Sequence, residues 1–262
     1  MAKKFSFKDL LLWEVKNLTR FPFLEIIIGI TAYSVIPPAL KRPPLISGPY
    51  LAPIPLEFSR LDSYILGGFS SRITLCYLVQ TIAATLLISL TFSYEMERGF
   101  LKLYLSYPID RRWMFLAKLL SPILILTAIG ILSIIAAILI EFLPIVDLFP
   151  YVMKALPSIL LAFLIQLIFI VSVSTSISLL IRGLGPSLML SLVILYVPYT
   201  TPIPCDKFPY VPPLLSECLI LEILSPLTAM QKVLSITLPC IGFCLILLWN
   251  SYLHFTRRLE IT

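Results

Sequence analysis

The sequence predicts an all-α integral membrane protein with six transmembrane helices, and three observations predict it. Hydrophobic residues make up 59% of the 262 residues and charged residues only 13%, about half the charged share of a soluble domain. Mean hydropathy is +0.99, and the apolar residues gather in runs long enough to cross a hydrocarbon core of about 30 Å at roughly 1.5 Å per residue. Charge collects between those runs. The net charge of +6 flanks the apolar runs and forms no continuous basic face, which points to anionic lipid and away from nucleic acid as a partner.

The whole chain, 1–262, reads as one transmembrane domain with no room for a separate soluble one. Residues 1–20 form an interfacial helix. Ser6-Phe7-Lys8-Asp9 has the pattern of a capping box. Phe7, Leu11, Val15 and Leu18 then share one helical face, with Asp9, Lys16 and Arg20 opposite, as in a helix lying in the membrane interface. Trp13 suits the headgroup level, and Glu14, at the edge of the apolar face, is expected to pair with a Lys or Arg of the Glu95–Arg112 segment.

Spans follow at 21–40, 73–94, 113–140, 155–181, 186–201 and 233–255. The first reads as a permanent span, because no small-residue cleavage site precedes a polar region. With the amino terminus inside, thirteen of the twenty Lys and Arg residues fall on the cytoplasmic side. This bias places a multi-pass chain in the cell membrane with both termini cytoplasmic.

The loops divide by character. Pro37 to Arg72 carries seven prolines, so extended and turning backbone dominates its first half. Residues 202–228 are again proline-rich around the apolar stretch Leu214–Leu224, which is too short to cross and fits a re-entrant or external helix. Cys205 and Cys218 share that loop and either close a disulfide or remain two thiols. Inside the spans, Gln80, Gln166 and the Ser172–Ser178 run read as hydrogen-bonding groups between helices.

Catalytic constellations are missing from the sequence. One histidine rules out a multi-histidine metal centre, so no metal site is expected, and no GxxxxGK[ST] loop occurs among the nine glycines. Any use of ATP therefore falls to another chain. What remains is the segment 95–112, where Glu95, Glu97, Arg98, Gly99, Phe100, Leu101, Lys102 and Tyr107 form a mixed-charge patch closed by Pro108, Arg111 and Arg112. It reads as a short cytoplasmic helix docking onto a partner, against the plainer reading of a loop whose charges only set orientation.

Three local patterns resemble the type-2 permeases of ATP-binding-cassette (ABC) exporters. Glu14 followed by Arg20 and Pro22 before the first span is similar to the family's leader. Glu95 or Glu97, Gly99, the Leu101–Leu105 stretch, Pro108-Ile109-Asp110-Arg111 and Lys118 follow the order of its coupling segment. The Leu214–Leu224 stretch stands where the family has a re-entrant hairpin. Phe100 departs from the small hydroxyl residue usual after the glycine, and Asp110 replaces a serine.

The resemblance implies a mechanism. Two permease copies, or one copy and a related permease, would pair, and each would seat its 95–107 helix in a cleft of an ABC ATPase subunit that holds ATP and Mg. No cofactor would sit on this chain, and it would not itself be an enzyme. Trp13, Glu14, Arg20, Arg111 and Arg112 would anchor it at the interface. Thr74, Gln80, Thr81, Thr85, Ser187 and Ser191 would line the pathway if the second and fifth spans meet the partner copy. The expected cargo is hydrophobic or amphipathic. The alternative is a non-transporting membrane scaffold that recruits a cytoplasmic partner through the same patch.

Overall fold

The computed structural model describes residues 7–19, 25, 27–29, 78–101, 110–142, 149–181, 183–200 and 229–258. Most of the expected first span at 21–40, the 102–109 linker and the 202–228 segment lie outside the described residues, and with them Arg20, Thr74, Lys102, Tyr107, Cys205 and Cys218. Among the described residues the architecture is all-helical. Its elements are α1 (Phe7–Leu18), α2 (Leu78–Glu97), α3 (Arg111–Phe142), α4 (Phe149–Leu180), α5 (Leu184–Thr200) and α6 (Ala229–Arg258).

Helices α2, α3, α4 and α6 contain stretches long and apolar enough to cross a membrane. Their outer surfaces agree: α6 alone exposes Leu238, Phe243, Leu245, Ile246 and Trp249, an apolar face that a water-soluble monomer does not present. Helix α5 has 17 residues and spans about 25 Å at 1.5 Å per residue, so it falls short of the other four. Of the six spans expected, the described residues show four helices of crossing length and one shorter apolar helix.

Packing is led by α6 on α4, α1 on α3 and α4 on α5. Small hydroxyl residues let the helices approach and bond to one another. Ser176 of α4 meets Ser251 of α6 at 2.9 Å, and Ser93 of α2 donates to the Ser178 carbonyl of α4 at 2.8 Å. The last turns of α2 widen into a π-helix over Leu90–Tyr94. That distortion turns Phe92 into a cluster with Phe115 and Phe255, at ring separations of 5.9 and 6.2 Å, and places Ser93 against α4. Such a bulge costs regular hydrogen bonding and persists where tertiary contacts compensate for it.

One glycine governs how closely α3 and α4 approach. A Cβ on Gly130 would run into the ring of Phe163, so the phenyl group lies directly over the α3 backbone. Gly130→Ala is expected to destabilise the protein by about 1–3 kcal/mol, the usual cost of overpacking. Phe163→Leu in the same chain should recover part of the loss. Thermal unfolding in a single detergent checks both, and an unchanged midpoint in Gly130→Ala contradicts the close approach.

Candidate functional site: the charged end of the bundle

The site is built around a lysine inside an apolar helix. Lys118 lies about two turns into α3, and its side chain is 0% exposed. An ammonium group removed from water needs partners of opposite charge. Two are found among the described residues: Glu14 Oε1 of α1 at 2.7 Å and Glu95 Oε2 of α2 at 2.6 Å. Both distances are those of charge-assisted hydrogen bonds. One cation thus ties three helices together.

This geometry changes the reading of α1. Its buried ridge is Leu10, Glu14 and Leu18, spaced one turn apart, with Glu14 at the centre and not at the edge. Phe7, Leu11 and Val15 lie on its flank, partly buried against the core, and Phe7 meets the Trp113 ring at 5.0 Å. Glu14 was expected to pair within 95–112 and to act as an interfacial anchor. Its partner is instead Lys118, six residues beyond that segment, and the carboxylate is buried. The reason is electrostatic, because the face of α1 that meets α3 must deliver an anion to the lysine. Leu12 and Trp13 remain exposed on the opposite side.

Beyond Glu95 the chain turns sharply. Gly99 takes φ +75°, a left-handed conformation that glycine adopts without a Cβ clash. Its N–H donates to the Met96 carbonyl at 3.3 Å, while Arg98 N–H donates to Tyr94 O at 2.9 Å. This is a glycine helix stop. The residues around it divide by direction. Glu95 turns inward to Lys118, and Leu101, 1% exposed, joins the core. Glu97, Arg98 and Phe100 face outward, Phe100 at 46% exposure and Arg98 with its guanidinium 5.4 Å from the Tyr94 ring centre.

Glu97 has a second task. Its Oε2 accepts the backbone N–H of Leu184 at 3.0 Å, at the first turn of α5, where helix N–H groups lack partners and the dipole favours an anion. The α4–α5 turn reaches this position through Gly183, at φ +120°. Asp110, just before α3, caps that helix by accepting from the Arg112 N–H at 3.0 Å. Arg111 reaches the Thr256 carbonyl of α6 at 3.4 Å, and Arg112 is exposed.

Gln80, Thr81, Thr85, Ser187 and Ser191 are all buried within a single copy of the chain. The Thr85 hydroxyl bonds back to the Thr81 carbonyl at 2.6 Å, and Ser187 to the Leu184 carbonyl at 3.1 Å. The amide of Gln80 and the hydroxyl of Ser191 find no hydrogen-bond partner among the described residues. Cys240 and Cys244 are buried free thiols one turn apart in α6. No group of three metal-binding side chains occurs among the described residues.

Two features were missed by sequence reasoning. The hub role of Lys118 was signalled by a lone cation inside an apolar run, a position that asks for a buried partner. The cluster of Phe92, Phe115, Phe255 and Tyr252, which joins α2, α3 and α6 beside the ion pairs, has no sequence signal, because aromatic residues occur throughout the chain. Comparison with known proteins adds no identity: no family model matches the chain, and no curated protein does.

Removing the cation tests the hub. Lys118→Met leaves two carboxylates facing each other without compensation and should cost about 3–5 kcal/mol. Adding Glu14→Gln and Glu95→Gln removes the stranded charges and should restore most of that loss. Thermal unfolding of the purified single and triple variants decides it. A single variant as stable as the parent contradicts the assignment.

Proposed function

We propose that this chain is the membrane subunit of a transporter driven by a separate ATPase subunit, with the 95–101 turn as its point of contact. The observation that carries the proposal is the division of that turn. Glu95 and Leu101 hold it to the body of the bundle, while Glu97, Arg98 and Phe100 stand outside. An exposed phenylalanine set between charges and fixed on a rigid base has the character of an interface anchor. A loop that served only to set orientation would not need a buried ion pair at Glu95, a helix cap from Glu97 and a buried Leu101.

In this reading the charged end of the bundle faces the cytoplasm, six spans cross the cell membrane, and two permease subunits enclose a pathway. ATP and Mg belong to the partner ATPase, and closure of its dimer would press on the turn. Because the turn is tied to α1, α3 and α5, that push would reach all three together. The apolar character of the helices suits export of a hydrophobic or amphipathic cargo. The resemblance of the 95–118 pattern to type-2 ABC permeases supports the same reading.

The test is recovery of the tagged full-length chain from its native membrane in mild detergent, with partners identified by mass spectrometry. A stoichiometric chain carrying a GxxxxGK[ST] loop is expected with the parent. It should be lost in Phe100→Asp and in Gly99→Pro, since proline cannot take a positive φ, while membrane insertion is kept. Recovery of a partner with no nucleotide-binding loop would favour the scaffold reading. Full retention of an ATPase by both variants would remove the turn from the interface.

A further inference from the structure

We infer that Trp13, Trp113 and Trp249 form a belt that seats the charged end of the bundle in the headgroup boundary of a phospholipid membrane. The inference rests on the order of side chains along the helices and does not depend on transport or on a partner subunit. These are the three tryptophans of the chain. They stand on three different helices, and all are exposed, at 39, 49 and 64%. An indole combines an apolar ring with one N–H donor, and so favours the layer between headgroups and hydrocarbon over either side of it.

On two helices the tryptophan stands where the outer surface changes character. On α3 Arg112 is exposed and Trp113 follows it, and every exposed residue described beyond that point, from Leu116 to Leu139, is apolar. On α6, which runs the opposite way, Asn250 is exposed beside Trp249, and every exposed residue from Leu238 to Ile246 is apolar. Helix α1 carries both kinds at once. Leu12 and Trp13 share its outer surface with Lys8, Asp9 and Lys16, as suits a helix at the boundary itself.

Contacts between helices bring the three tryptophans into one band. The Phe115 and Tyr252 rings meet at 5.6 Å, which sets α3 and α6 in register there. Lys118 lies three residues inward of Phe115, and Trp249 three residues inward of Tyr252, about 4.5 Å in each case. Trp13 precedes Glu14, whose carboxylate holds Lys118 at 2.7 Å. Trp13 and Trp249 are therefore level with Lys118, and Trp113 lies about 7.5 Å nearer the charged end. A headgroup layer is about 5–8 Å deep on each side of the hydrocarbon core, and the belt fills it. The ion pairs of Lys118 then lie at the inner edge of that layer, with the exposed Arg112 and Arg257 at its outer side.

The test reconstitutes the full-length chain into phosphatidylcholine vesicles and follows its tryptophan fluorescence. One set of vesicles carries bromine atoms on the acyl chain close to the headgroup, the other close to the bilayer centre. The shallow bromines should quench the parent several-fold more than the deep ones. Variants that keep one tryptophan, with the other two changed to phenylalanine, should each show the same ranking. Leu124→Trp, placed in the chain with Trp13→Phe, Trp113→Phe and Trp249→Phe, moves the indole about 16 Å along α3 from position 113 and should reverse it. Equal or stronger quenching of the parent by the deep bromines would overturn the inference, because the tryptophans would then lie in the hydrocarbon. So would quenching by aqueous iodide with no effect of either lipid, which would put this end of the bundle in water.

Discussion

The arrangement of the charged end depends on one constraint, that the ammonium of Lys118 cannot be buried alone. Placing a cation two turns inside an apolar helix carries a desolvation cost of several kcal/mol even after relaxation. The chain meets that cost with two carboxylates from helices distant in sequence, Glu14 and Glu95. Each of those positions is then constrained in turn. The face of α1 that carries Glu14 must pack on α3, and α2 must continue past its apolar section far enough to bring Glu95 alongside. A hydrophobic residue at 118 would pack at lower electrostatic cost, but it would specify neither the rotation of α1 nor the length of α2.

From that fixed point a rigid plate extends across the end of the bundle. Glu97, two residues beyond Glu95, caps the first turn of α5 through the Leu184 N–H. Phe92, three residues before it, enters the aromatic cluster with Phe115 and Phe255. Arg111 bridges to the Thr256 carbonyl on α6. Each contact uses a different physical term: a charged pair, a helix dipole, ring packing and a hydrogen bond. All lie within a few turns of Lys118, so the outward residues Arg98 and Phe100 sit on a support shared by five helices.

The sequence made the class legible and the joints only in part. The long apolar runs expected at 113–140, 155–181 and 233–255 lie in the helices Arg111–Phe142, Phe149–Leu180 and Ala229–Arg258, because hydropathy marks segments that favour an apolar setting. The Asp110 cap follows from a short acceptor standing before a helix, whereas the stop at Gly99 breaks the single helix expected over 95–107, because its φ of +75° ends α2 there. The rotation of α1 was not readable. Periodicity assigned Glu14 to an edge because it treats every carboxylate as solvent-seeking, and only the position of Lys118 on another helix reverses that. The π-turn at Leu90–Tyr94 was hidden for the same reason: its cause lies in α4 and the aromatic cluster and not in its own residues.

The distribution of side-chain bonds also indicates which parts of this bundle can move independently. Several buried hydroxyls in its interior bond to their own helix, as Thr85 does to Thr81 O, Thr91 to Leu87 O and Ser172 to Ile168 O, each at 2.6 Å. Bonds of that kind survive when one helix slides or rotates against another. The inter-helix bonds are concentrated elsewhere: Ser93 to Ser178 O, Ser176 with Ser251, Glu97 to Leu184 N–H, and the two ion pairs of Lys118. Sliding α2 against its neighbours α3, α4 and α5 at the charged end breaks several of these together in a low-dielectric setting where each is costly to lose. Moving that end as one body breaks none of them. A force applied at Phe100 is therefore carried as a rigid displacement of the plate. In the proposed transporter, the rearrangement would fall nearer Gln80 and Ser191, which have no hydrogen-bond partner among the described residues to give up.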